Sequence, residues 1–169
     1  KKIERLIQLA TRCDIMVAVD HLANLDALNA AAAAGNVSPR VLVEVNIGHN
    51  RCGAAPGQAA VNLAQRAQAA SHLRFAGIMG YEGHVVDLED RADREEKASE
   101  CLQRLVNARA DIEAAGLSVD ICSSSATGDY YISTRFDGIT EVQAGSYALM
   151  DAAYGRLDLG FRNALTVLT

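Results

Sequence analysis

Five short apolar runs, most of them separated by long helix-forming stretches, constrain what this chain can fold into more than any other feature. They cover residues 15–20, 41–46, 75–81, 119–125 and 139–145. A run such as Val41-Leu42-Val43-Glu44-Val45 is nearly continuous rather than strictly alternating, as expected of strands covered on both faces. Between the runs, residues 22–34 are rich in Ala and Leu and meet a helix stop at Gly35-Asn36, and residues 56–70 begin with a proline suited to a first helical turn. Residues 89–115 place Leu102, Leu105, Val106 and Ile112 near helical spacing before Gly116, with charges that include Lys97 on the solvated face. This alternation predicts an α/β fold with a parallel sheet. Such a series either closes into a barrel, which takes about 250 residues and eight strands, or stays open as a doubly wound sheet. Five strands are too few for closure, so the chain is expected to be a small open sheet or part of a larger barrel.

Composition narrows the function classes. A formal charge of -5 and few aromatic residues argue against nucleic acid as a partner. The apolar runs fall well short of the roughly 20 residues that span a bilayer, and no signal-peptide core follows the charged opening, so no membrane partner and a cytoplasmic location are expected. Cys13, Cys52, Cys101 and Cys122 have neither CxxC nor Cys/His ligand spacing and are expected to be buried or inert thiols.

In both architectures ligands bind at the C-terminal ends of the strands. Those ends are polar here: Gly48-His49-Asn50-Arg51-Cys52-Gly53, Gly80-Tyr81-Glu82-Gly83-His84, Ser123-Ser124-Ser125-Ala126-Thr127-Gly128 and Gln143-Ala144-Gly145-Ser146-Tyr147. Clustered Gly, Ser and Thr can offer amides and hydroxyls to a single phosphate, or can simply be turns. Arg51 is a donor fork for an anionic oxygen or a surface partner of Glu44 or Glu82. Tyr81 can line a planar ligand or plug the sheet. His84 can exchange protons near neutral pH or hydrogen-bond its loop, His49 similarly, whereas His21 and His72 are expected to be structural. Neither GxGxxG nor GxxxxGK[ST] is present, which argues against a nucleotide.

Three longer strings go further. Val-Leu-Val-Glu-Val-Asn-Ile-Gly-His-Asn-Arg-Cys-Gly, Phe-Ala-Gly-Ile-Met-Gly-Tyr-Glu-Gly-His and Thr-Glu-Val-Gln-Ala-Gly-Ser-Tyr-Ala-Leu-Met-Asp, in this order, resemble the D-threonine aldolase and D-serine dehydratase family of fold-type III enzymes that use pyridoxal 5'-phosphate. The resemblance implies part of a (β/α)8 TIM barrel of the alanine racemase N-terminal type, about strands four to eight, over residues 1–162. Residues 163–169 would start the passage into a C-terminal β domain. Position by position, Arg51 would approach the cofactor's phenolic oxygen, Tyr81 would lie beside its pyridine ring and Gln143 would stand opposite the pyridine nitrogen. Ser124, Ser125, Thr127, Gly128, Gly145, Ser146 and Tyr147 would hold the phosphate, and His84 is a candidate on the substrate side.

The departures from the family pattern count equally. The family's Schiff-base lysine lies on the first barrel strand, and the lysines here, Lys1, Lys2 and Lys97, are not at such a strand end. No metal ligands are assigned, because the family's His and its Asp or Cys partner belong to the β domain. For the intact protein the resemblance implies metal-dependent (Mn, Mg or Zn) retro-aldol cleavage of a small D-β-hydroxy-amino acid. The alternatives are a D-serine dehydratase and a non-catalytic cofactor-binding barrel, and a homodimer is left open. The 169 residues alone are expected to be inactive, and an open arc of strands is expected to aggregate or to need the rest of its chain.

Overall fold

The computed structural model describes residues 1–86 and 88–165. Its elements run α1 (Lys2–Ala10), β1 (Met16–Val19), α2 (Leu22–Ala34), β2 (Arg40–Glu44), α3 (Gln58–Ala69), β3 (Arg74–Met79), α4 (Arg91–Ala114), β4 (Ile121–Ser124), α5 (Tyr130–Ser133) and β5 (Glu141–Val142), followed by 3-10 turns at Ser146–Ala148 and Tyr154–Leu157. All four strand pairings are parallel, and spatial order equals sequence order, β1-β2-β3-β4-β5. A doubly wound sheet reverses its order at a switch point. A barrel adds each strand beside the last, so the sheet is an arc of the barrel kind.

Alternation along the strands sorts their side chains. Val17, Val19, Val41, Val43, Val45, Ile78 and Cys122 pack into one apolar cluster with Leu25 and Leu28 of α2, Leu63 of α3, and Leu105 and Ile112 of α4. Each fully buried side chain of this size contributes about 1.5–3 kcal/mol of transfer free energy. Residues alternating with these valines, such as Ala18 and Glu44, lie outside that cluster, which leaves the concave face small and increasingly polar toward the C-terminal rim.

Most elements follow their sequence signals within two residues, with informative differences. α1 was not anticipated, although Ile3, Leu6 and Ile7 have helical spacing and pack on the core. At the end of α2 the left-handed residue is Asn36 (φ 50°), while Gly35 stays right-handed. Pro56 precedes α3, whose N-cap is Gly57 at φ 80°. His21 caps α2 by accepting the Ala23 N–H on Nδ1 (3.2 Å), whereas His72 leads into β3 and donates its backbone N–H to Asn29 Oδ1 at 3.0 Å. Cys101 and Cys122 are buried, Cys52 is half-buried and Cys13 is exposed. Lys97 is exposed on α4, as read. No described helix is long and apolar enough to cross a membrane. Of residues 163–169, the last four lie outside the described residues, while Ala164 donates to the Leu149 carbonyl at 2.9 Å.

Candidate functional site

The parallel arrangement brings the C-terminal ends of β2 to β5 to one rim, and the loops there are shaped by short local interactions. After β2, the Asn46 side-chain oxygen accepts the Gly48 and Asn50 N–H groups at 3.1 and 3.2 Å, and its amide donates to Asn50 Oδ1 at 2.9 Å. This Asx-type knot holds Asn50 left-handed (φ 54°) and launches Arg51 back across the rim. The next residue, Cys52, donates its thiol proton to Glu44 Oε1 (2.8 Å), and that bond to a carboxylate raises the thiol's pKa.

Arg51 pairs with neither carboxylate proposed from the sequence as its surface partner. Its guanidinium lies over the Tyr81 ring, 5.3 Å from the centroid, in a solvent-exposed cation–π contact. Burial raises the Tyr81 pKa above its ordinary value, so the phenol stays protonated at neutral pH. Across the rim, Thr127 Oγ1 accepts the Tyr147 N–H at 3.0 Å and ties the β4 loop to the turn after β5. Gln143 is oriented by a short relay in which its amide donates to Ser123 Oγ (3.1 Å), which donates to Glu141 (2.6 Å).

Arg51, Tyr81, Thr127, Gln143, Gly145 and Ser146 line a single hollow of about 350 Å³, with Met79, Ala126 and Tyr154. That volume falls in the range of about 300–1,000 Å³ common for small-molecule sites. Larger hollows, of about 530, 550 and 390 Å³, lie beside α1, between α3 and α4, and at the N-terminal side of the sheet near Ile15 and Pro39, away from these C-terminal strand ends. A Cβ added at Gly145 would meet no atom within 4 Å, so the backbone there is open to a ligand. The donor set fits pyridoxal 5'-phosphate: an aromatic wall, a guanidinium for an anionic ring oxygen, a neutral amide, and two hydroxyls beside an unshielded glycine for a phosphate.

The other residues proposed from the sequence have different surroundings. The Ser124 hydroxyl, fully buried, reaches the Gly80 carbonyl (3.0 Å) and Glu82 Oε2 (2.7 Å). Ser125, left-handed at φ 80°, donates to Asp129 Oδ1 (3.0 Å). Gly128 is pressed against the Val86 carbonyl, where no Cβ would fit. Tyr147 is half exposed, with its ring against Phe161 at 5.5 Å. These four shape the loops rather than line the hollow. His84 lies outside it as well: its ring stacks on His49 at 5.7 Å, and its Nε2 is 3.8 Å from Cys101 Sγ. Burial, then His49 and Arg104, lower its pKa, so His84 is neutral at pH 7. His49 is nearer the rim, its ring edge-on to Tyr81 at 5.8 Å.

Sequence reasoning missed Glu82 and Asp129, both fully buried behind the hollow. Burial, reinforced by a hydrogen bond to Asp129 and by that residue's charge, raises the Glu82 pKa to about 8. The divalent metal (Mn, Mg or Zn) that the resemblance implies finds no ligand set here, since no group of three His, Cys, Asp or Glu side chains among the described residues could hold one.

Comparison with known proteins agrees with the fold. The pattern of the family described as "Alanine racemase, N-terminal domain" matches residues 2–153. The chain is 36% identical to a 3-hydroxy-D-aspartate aldolase of Paracoccus denitrificans (strain Pd 1222) over 178 residues, covering 99% of this chain and 46% of that protein. It is 33% identical to a D-threonine aldolase of Arthrobacter sp. over 171 residues, covering 99% and 45%. The crystal structure of D-threonine aldolase from Filomicrobium marinum superposes with a TM-score of 0.92 at 34% identity, over 96% of this chain and 46% of that one. The chain thus spans about half the length of the curated relatives it matches.

Proposed function

The chain belongs to the family of the alanine racemase N-terminal domain, and from that membership we propose that the protein carrying it is a pyridoxal 5'-phosphate-dependent lyase that splits a D-β-hydroxy-amino acid. The products would be a smaller amino acid, such as glycine, and an aldehyde. The observation that carries this reading is the convergence of Arg51, Tyr81, Thr127, Gln143, Gly145 and Ser146, from four strand ends, on one hollow. When bound, the cofactor supplies an electron sink for the electron pair of the broken Cα–Cβ bond.

What this chain contributes is position and charge. Thr127 and Ser146, next to the backbone of Gly145, would offer hydroxyl protons to the phosphate. Tyr81 would wall the ring, and Arg51 would offer N–H donors to the phenolic oxygen. Gln143, held by Ser123, would present an uncharged amide to the ring nitrogen and so would impose no charge on it. Ser124, Ser125, Gly128 and Tyr147 act by holding these loops. His84, stacked on His49 outside the hollow, would lie on the substrate side in this reading.

The same reading assigns the five strands to barrel positions four to eight and residues 163–169 to the passage toward a β domain. It also includes a small D-amino acid substrate, a cytoplasmic location and a homodimer for the intact protein. The lysine and the metal ligands belong to parts of the protein outside this chain, so the 169 residues by themselves should not turn over substrate.

The test is to load the intact protein with pyridoxal 5'-phosphate and a divalent metal and supply D-threonine or 3-hydroxy-D-aspartate. The expected products are glycine with acetaldehyde or glyoxylate. Ammonia and a 2-oxo acid without glycine would make it a dehydratase, and cofactor binding with turnover of neither kind would leave a binding barrel.

A further inference from the structure

Glu82 and Asp129 come from different loops, one after β3 and one at the N-cap of α5, and both are completely removed from solvent. Each has one oxygen in reach of a hydroxyl donor. Glu82 Oε2 takes the Ser124 hydroxyl at 2.7 Å, and Asp129 Oδ1 takes the Ser125 hydroxyl at 3.0 Å and the Ala126 N–H at 2.8 Å. The remaining oxygens, Glu82 Oε1 and Asp129 Oδ2, are buried and have no separate donor among the described residues. Two ionised carboxylates in that arrangement would be like charges in a low-dielectric interior, each without full compensation. The two side chains are near enough to hydrogen-bond each other, and one proton shared by the pair removes both problems. Burial, the largest influence on the Glu82 carboxyl, favours its neutral form, so the proton is assigned to Glu82.

We infer that Glu82 and Asp129 share a single proton across this contact, and that the pair is a positioning device that fixes the β4–α5 loop, and with it Thr127, against the cofactor hollow. This deepens the proposed function and rests on it. Glu82 grips Ser124 while Asp129 grips Ser125 and Ala126, so the pair clamps the three residues immediately before Asp129's neighbouring Thr127-Gly128 turn from both sides. Loss of the proton leaves two negative charges that repel across the clamp, and the loop is the part free to move.

The groups facing the pair do not obscure its titration. Tyr81 and Cys101 both sense the two carboxyls, and both are held protonated, Cys101 with a pKa of about 11 because of burial. His84, against Cys101, is already neutral above pH 7. Glu82, with its pKa near 8, is the member of this set that changes charge between pH 7 and 9.

The experiment uses the intact protein with its glutamate side-chain carboxyl carbons labelled with 13C, followed by NMR from pH 5 to 10 without cofactor. One carboxyl is expected to titrate near 8, to vanish in Glu82→Gln and to move to lower pH in Asp129→Asn. All glutamates titrating in the ordinary range would overturn the shared proton. Absorbance titration with pyridoxal 5'-phosphate then reads the positioning role. Wild-type affinity should fall several-fold from pH 7 to 9 relative to Glu82→Gln, which keeps the hydrogen bonds without the charge, and Glu82→Ala should bind roughly tenfold more weakly at every pH. Equal affinity and equal pH dependence in all three would overturn the positioning role. A wild-type protein that binds no cofactor would instead sink the proposed function, and the carboxyl titration would still decide the shared proton.

Discussion

Gly77→Ala is expected to unfold the protein or to reduce its stability by more than about 3 kcal/mol, the sum of a forbidden backbone conformation and a steric overlap that cannot relax. Gly77 has φ 141°, and a Cβ there would lie 2.0 Å from the Ile121 carbonyl oxygen and 2.8 Å from the Ile121 carbonyl carbon and nitrogen. The obstacle is the backbone of the neighbouring strand rather than a side chain that could swing away. The site is also where register shifts: Val41 pairs with Phe75 but Leu42 with Gly77, so Ala76 bulges out of the ladder. A loss of this size is a large part of the 5–15 kcal/mol typical of a folded protein. Denaturant unfolding of the variant checks it, with Gly145→Ala as the control, since an added Cβ there meets open space and should change stability by less than about 0.5 kcal/mol.

The second large effect concerns the ligand and not the fold. Arg51→Ala should weaken pyridoxal 5'-phosphate binding by about 10- to 100-fold, because a charge-assisted hydrogen bond is worth roughly 1.5–3 kcal/mol. Its guanidinium is exposed and contacts the Tyr81 face, so unfolding should be nearly unchanged. Arg51→Lys should recover only part of the loss, since an ammonium lacks the planar fork that can both cover a ring and reach an oxygen. Equilibrium binding monitored by cofactor absorbance separates the three proteins. An alanine variant with wild-type affinity would remove Arg51 from the site.

Much of the fold could be read in advance because its signals are local. Valine-rich runs without strict alternation, an alanine-rich stretch closed by Gly35-Asn36, and the long 89–115 segment each carry their own period and stop. Their parallel alternation then dictates that strand ends share a rim, which is why Arg51, Tyr81, Thr127 and Gln143 could be grouped before any coordinates. What the sequence hid depends on contacts between distant segments. Nothing in the spacing of Glu82 and Asp129 shows that they meet, and a Ser-Ser-Ser run does not reveal that two of its hydroxyls turn inward while Thr127 alone among its neighbours reaches both the hollow and the next loop. His84 was drawn toward the site by its position after a strand, but stacking on His49 holds it outside. The helix at Lys2–Ala10 is hard to read for a different reason: its charged opening masks the helical spacing of Ile3, Leu6 and Ile7.

The central claim is spatial, that four strand-end loops build one pocket for one cofactor. A crystal structure of the intact protein grown with pyridoxal 5'-phosphate tests it most directly. The account predicts the ring against Tyr81 with Arg51 at its phenolic oxygen and the phosphate beside Thr127, Gly145 and Ser146; a cofactor bound elsewhere on the barrel, with this hollow filled by the protein's own side chains, would contradict it.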